Sequence, residues 1–129
     1  MKKHGILNRD LAGIFAKLGH TDQITISDCG LPIPDGVTCI DLSYILGKPS
    51  FDEILAIVLD DLVVEKAYVA AEMKTANAKM HYVVNKSIEQ ISEVSHEEFK
   101  AMTRQSKVII RTGEASPYAN IILQAGVIF

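Results

Sequence analysis

Two S-x-x-E boxes, Ser50 with Glu53 and Ser95 with Glu98, fix where two helices of this chain begin. In such a box the serine hydroxyl accepts the N–H three residues on, and the glutamate carboxylate reaches back to the serine's own N–H. The first box predicts a helix through Ile54, Leu55, Val58 and Leu62, and the second a helix from His96 to about Gln105. Asn8 is a cap residue ahead of Leu11, Ile14, Phe15 and Leu18, which recur at i, i+3, i+4 and i+7, with Gly19 as the expected left-handed stop. A further stripe, Met80, Val83, Val84 and Ile88, lies between Asn77 and Gln90 and leaves His81 off the apolar face, in solvent.

Short β-branched runs lie between these helices. Gln23–Ser27 alternates Ile24 and Ile26 with polar residues, the period of a half-buried strand, and Asp28, Cys29 and Gly30 break it before Pro32 and Pro34. Residues 37–41, 63–71, 91–94, 107–112 and 121–123 read as the other strands. Hydrophobic residues make up 48% of the 129, yet aromatics only 6% with no Trp, so the core has to be built from Ile, Val, Leu and Ala. That composition suits an α/β fold. The expectation is one domain over residues 1–129, a three-layer α/β/α arrangement around a mixed sheet of about six strands.

The chain carries a net charge of −3 and no basic cluster longer than Lys2-Lys3, which argues against nucleic acid and anionic lipid as partners and leaves a small neutral ligand open. Cys29 and Cys39 form no CxxC pair. They allow one disulfide, but free thiols in a reducing cytosol are the expectation, and redox catalysis is not indicated. The longest apolar run, residues 54–59, is far too short to span a bilayer, and the start MKKHGILN lacks a signal peptide's apolar core. A soluble, cytoplasmic protein without membrane insertion is expected.

The chemistry-bearing stretch is LGHTDQITISDCGLPIP, residues 18–34. It sets His20 just past a helix end and Asp28 at the carboxyl end of a strand, the edge of an α/β sheet where small ligands bind, with the proline loop as a pocket wall. The structural alternative is equally physical: Asp after a strand is an ordinary turn residue, and His after a helix can cap carbonyls. His96 and Lys100 stand one turn apart on their helix and could converge on one ligand, although exposed His and Lys on a helix are also ordinary. If residues 118–120 are extended, Tyr118 and Asn120 project to one face with a phenol and an amide.

These stretches, with KKHGILN at the start, PSF at Pro49 to Phe51, SHEEFK with His96 and Lys100, and RTGEASPYANIILQAGVIF to the end, resemble the ribose pyranase family of the bacterial ribose-utilisation system, which is related to the L-fucose mutarotases. The resemblance is nearly full-length. Residues 74–94 match least, and Cys29 stands where the family pattern favours Ala. The resemblance implies an enzyme that interconverts pyranose and furanose forms of D-ribose without metal or organic cofactor, in a ring-shaped homo-oligomer, a decamer of two pentameric rings. It nominates His20 as the catalytic acid/base and Asp28, His96, Lys100, Tyr118 and Asn120 as ribose-binding groups.

Elementary chemistry fits that assignment. Changing ring size needs only a proton donor and acceptor, and an imidazole with an ordinary pKa of about 6.5 serves as both near neutral pH. A non-catalytic sugar-binding module of a ribose uptake system, or an L-fucose-type mutarotase, would use the same polar set. One extended strand cannot deliver both His20 and Asp28 to one sugar, so either the chain turns at Thr21-Asp22 or the site is shared between subunits, and ring assembly favours sharing. The apolar residues 121–129 are expected to be buried, at the oligomer interface.

Overall fold

The computed structural model describes residues 1–129. In chain order it contains α1 (Arg9–Phe15), β1 (Gln23–Ser27), β2 (Cys39–Asp41), α2 (Phe51–Asp61), β3 (Val64–Ala70), α3 (Met73–Ala76), α4 (Ala78–Ser87), β4 (Ile91–Val94), α5 (His96–Met102) with a 3-10 turn at Thr103–Gln105, β5 (Ile109–Arg111) and β6 (Ile121–Ala125). The strands form one mixed sheet in the order β2-β5-β1-β6-β3-β4. Only β6 runs antiparallel to its neighbours, β1 and β3; the pairs β1/β5, β2/β5 and β3/β4 are parallel. The carboxyl ends of β1 to β5 therefore share one sheet edge with the start of β6, while their amino ends share the other edge with its finish.

The alternation along the strands decides which helix covers which face. Ile24, Ile26, Ala67, Val69, Ile110, Ile121 and Leu123 pack in one cluster with Leu11 and Phe15 of α1, Phe51, Leu55 and Val58 of α2, and Met73, Met80 and Val84 of α3 and α4. Ile122 and Tyr68 face the other way, against Phe99 and Met102 of α5 and Leu31 of the proline loop. The three expected layers are there, but unequal, with α5 alone on the second face. Because β1 is central it is buried on both faces, not on one. Of its buried polar residues, Thr25 is accommodated by bonding, its hydroxyl 2.7 Å from that of Ser106, whereas the Ser27 hydroxyl has no partner within the chain.

The Ser50/Glu53 box closes reciprocally, Ser95 accepts the Glu98 N–H, and Asn8 accepts the N–H groups of Asp10 and Leu11, so the local helix starts form as their sequences dictate. The ends differ. Helix α1 stops at Phe15, and Gly19 is not left-handed; the positive φ of this connection belongs to Thr21, at 70°. Residues 107–112 shorten to a three-residue β5. There the loop from Gly113 meets the start of α2 so closely that a Cβ on Gly113 would lie 2.3 Å from the Lys48 carbonyl oxygen, a contact only glycine permits. His81 is not in solvent: its Nε2 lies 3.2 Å from Glu93 and its side chain is only 22% exposed. No helix is long and apolar enough to cross a membrane.

Candidate functional site

Two polar clusters occupy opposite edges of the sheet. At the carboxyl edge, Asp28 leaves β1 beside Asn120, the residue that enters β6. The Asn120 amide, 1% exposed, accepts the Asp28 backbone N–H at 2.8 Å and donates to the Asp28 carboxylate at 2.9 Å. Asp28 also accepts the Gly30 N–H at 2.9 Å, so the ordinary turn role coexists with a fixed, outward carboxylate. Asn120 thus spends one donor and one acceptor on holding Asp28.

His96 opens α5 at the carboxyl end of β4. Its backbone N–H donates to both oxygens of Glu72, at 3.1 and 3.0 Å, and the N–H of Glu72 itself, followed by these contacts, keeps that carboxyl below the ordinary carboxylate range. The imidazole meets the Tyr118 ring edge to face, centroids 5.0 Å apart, while its Nδ1 is buried with no hydrogen-bond partner from the chain. A buried ring nitrogen of this kind is ready to bond a hydroxyl. Residues 118–120 are not extended as the sequence suggested: Tyr118 has φ 55° and its carbonyl accepts the Asn120 N–H. This bend sends Tyr118 to His96 and Asn120 to Asp28. Asn77 anchors it, donating to the Ser116 hydroxyl and the Pro117 carbonyl at 2.8 Å each while capping α4.

Lys100 lies on the same helix but pairs with Glu97 at 2.6 Å. It lines a groove of about 490 Å³ between α5 and the proline loop, whose walls include Pro32, Pro34, Asp35 and Arg104. The proline loop is therefore a wall, as expected, and the structure brings Asp28, Asn120, His96 and Tyr118 to one edge with Lys100 on the adjoining groove.

His20 is elsewhere. It precedes β1, and the five residues of that strand at about 3.3 Å each put roughly 15 Å between it and Asp28. Thr21 turns the chain, but its N–H bonds to the Ala125 carbonyl and so fixes His20 at the amino edge. There the His20 Nε2 stands 2.9 Å from Glu65, with the imidazole 53% exposed. The other Glu65 oxygen accepts from Gln124 at 2.7 Å, and the Gln124 amide oxygen in turn accepts from Gln23 at 3.3 Å. The bonds from Gln124 and then His20 hold the Glu65 carboxyl below its usual range, so it is ionised and accepts only. Thr21 and Tyr118 are the two non-glycine residues with positive φ, one in each cluster.

Glu65, Gln124, Glu72 and Asn77 escaped the sequence reading. Their partners lie 45, 59, 24 and 39 positions away, beyond any local pattern. The one available signal was Glu65 itself, a carboxylate beside Lys66 in a strand run that is apolar on either side of that pair.

Residues 1–128 match the model of the RbsD / FucU transport protein family. Curated relatives include a D-ribose pyranase of Bacillus cereus strain B4264, 57% identical over 135 aligned positions, and one of Bacillus cytotoxicus, 56% identical over 131, each covered completely by this chain and covering it completely. Among solved structures, Bacillus subtilis RbsD complexed with D-ribose superposes with a TM-score of 0.98 at 52% identity over the whole of both chains. The fucose mutarotase of Streptococcus pneumoniae, in complex with L-fucose, shares the fold at TM-score 0.79 and 21% identity over 99% of this chain and all of that one.

Proposed function

The chain belongs to the RbsD / FucU transport protein family, and from that membership we propose that it is a D-ribose pyranase, interconverting the pyranose and furanose forms of the sugar. The observation that carries this reading is the full-length superposition on a chain solved with D-ribose, at 52% identity. The reaction is an isomerisation. The anomeric hydroxyl gives up its proton, the bond from the anomeric carbon to the ring oxygen breaks with its electron pair going to that oxygen, and the oxygen takes a proton. The open-chain aldehyde is then attacked by a different hydroxyl, and the same transfers run in reverse.

His20 supplies and removes these protons in this reading, an acid/base contribution of about 10²- to 10⁴-fold. Asp28 and the buried Nδ1 of His96 bond sugar hydroxyls, with Tyr118 and Lys100 at the margin and Asn120 holding Asp28. Because His20 is on the far edge of its own sheet, the sugar is handled by His20 of one copy and the Asp28 edge of another. That requires a closed homo-oligomer, and a decamer of two pentameric rings in the cytoplasm is the assembly we propose. Ile121, Ile122 and Leu123 are buried within the chain, whereas Ile128 and Phe129 are 90% and 101% exposed, an apolar tail suited to a subunit contact.

Saturation transfer between the pyranose and furanose signals of D-ribose tests the reading. Catalytic amounts of protein should transfer saturation that buffer alone does not. Binding without transfer would make the protein a sugar-binding module, and faster exchange of L-fucose anomers than of ribose would make it a mutarotase of the other branch.

A further inference from the structure

Three local features of the amino edge converge on Glu65. First, β3 and β6 fall out of step there: Val64 pairs with Ala125 and Lys66 with Gln124, so Glu65 is an extra residue on β3 with no partner opposite. A bulge of this kind re-aims the side chain it carries. Second, the re-aimed carboxylate is held at both oxygens, by His20 at 2.9 Å and Gln124 at 2.7 Å, and Gln124 is itself fixed from the neighbouring strand by Gln23. Third, Gly126 closes over it; a Cβ there would stand 3.2 Å from the Glu65 Cβ and 3.1 Å from Val63. The left-handed Thr21 sits beside this arrangement, in a conformation that a β-branched residue rarely adopts. A bulge and an adjacent strained residue would be poor design for a surface ion pair worth little on its own.

We propose that Glu65 is the positioning residue of the reaction: held in the β3 bulge by Gln124, it keeps the proton of neutral His20 on Nε2 and turns Nδ1 towards the sugar. Nδ1 is then the atom that takes the proton from the anomeric hydroxyl and returns one to the ring oxygen, while the Nε2 proton stays in place. This rests on the reading of His20 as the acid/base, and it adds the tautomer, the working nitrogen and the second residue. Gln23 and Gln124 serve the same end through Glu65.

The test is Glu65→Gln, whose side chain has the same shape. Its amide oxygen still accepts from Gln124, so its NH₂ faces His20 as a donor and reverses the tautomer. Nitrogen-15 NMR of the histidine rings should show neutral His20 as the Nε2–H form in the native protein and the Nδ1–H form in Glu65→Gln. The ribose exchange kcat should fall at least about tenfold, part of the 10² to 10⁴ of an acid/base group, with KM little changed. Glu65→Asp, which keeps a carboxylate, should retain the Nε2–H form and recover part of kcat. Native kcat in Glu65→Gln, with His20→Ala inactive, overturns this proposal and leaves the role of His20 standing. Native kcat in His20→Ala overturns both.

Discussion

The two edges of the sheet are built differently. At the carboxyl edge the polar groups are interlocked around a buried amide: Asn120 is bonded twice to the half-buried Asp28, and Glu72 clamps the start of α5 beneath His96. At the amino edge a half-exposed imidazole is held by one carboxylate. The first arrangement resembles a binding surface that must be shaped before the sugar arrives. The second presents an imidazole outward, which in the proposed reading transfers protons for a sugar held by another copy. A residue at the carboxyl edge should therefore matter to both fold and binding, whereas one at the amino edge should matter to chemistry alone.

His20→Ala gives the largest expected effect and the sharpest form of that contrast. Exchange of ribose forms should fall by about 10²-fold or more. Stability, followed by urea unfolding, should stay within about 0.5 kcal/mol, because the imidazole is exposed and makes one bond. A large loss of stability in this variant would erase the distinction between the edges.

Asn120→Ala should behave in the opposite way. It strips the Asp28 N–H of its acceptor and the carboxylate of a donor at a residue 1% exposed, which should cost about 1–3 kcal/mol of stability. Ribose KM should rise with it as Asp28 loses its fixed position. Unfolding and kinetics on the same preparation check both, and unchanged stability would show that the carboxyl edge is not interlocked as described.

The smallest expected effect is in the pH dependence. Glu72 titrates below its ordinary range in the folded chain, because its own N–H and that of His96 favour the carboxylate. A group with a depressed folded pKa stabilises fully above its unfolded value of about 4.3 and loses that contribution as pH falls through the folded value. Glu72→Gln should accordingly lose that contribution at pH 7, where it is fully present, and show a flatter loss of stability below about pH 4, where the native chain loses it too. Glu65 carries the same sign through Gln124 and His20. An unchanged acid limb in Glu72→Gln would remove Glu72 from the carboxyl edge's framework.

Legibility in the sequence followed the range of the interactions. The Asn8, Ser50 and Ser95 caps were readable because each bonds within three residues, and the strands because burial imposes their period. The position of Asp28 at a strand's carboxyl end followed from the break at Cys29-Gly30. The amino-edge network was not readable: Glu65 reaches His20 only through a bulge whose existence depends on pairing with Gln124. The bend at Tyr118 was missed for a related reason. Its left-handed backbone is imposed by anchoring from Asn77, not by any preference of tyrosine. Lys100 was correctly placed on a face with His96 by helical spacing, but spacing could not show that Glu97 would hold its ammonium.

The central claim is that the two edges meet across a subunit boundary, and mixing two inactive variants tests it most directly. His20→Ala keeps the Asp28 edge and Asp28→Ala keeps the His20 edge, so each homo-oligomer should be inactive. When the two are unfolded together, refolded at equal ratio and shown to co-assemble, random placement should restore up to about one quarter of native ribose exchange, from sites that draw each edge from the intact parent. A verified mixed assembly with no activity above that of its parents would contradict the shared site.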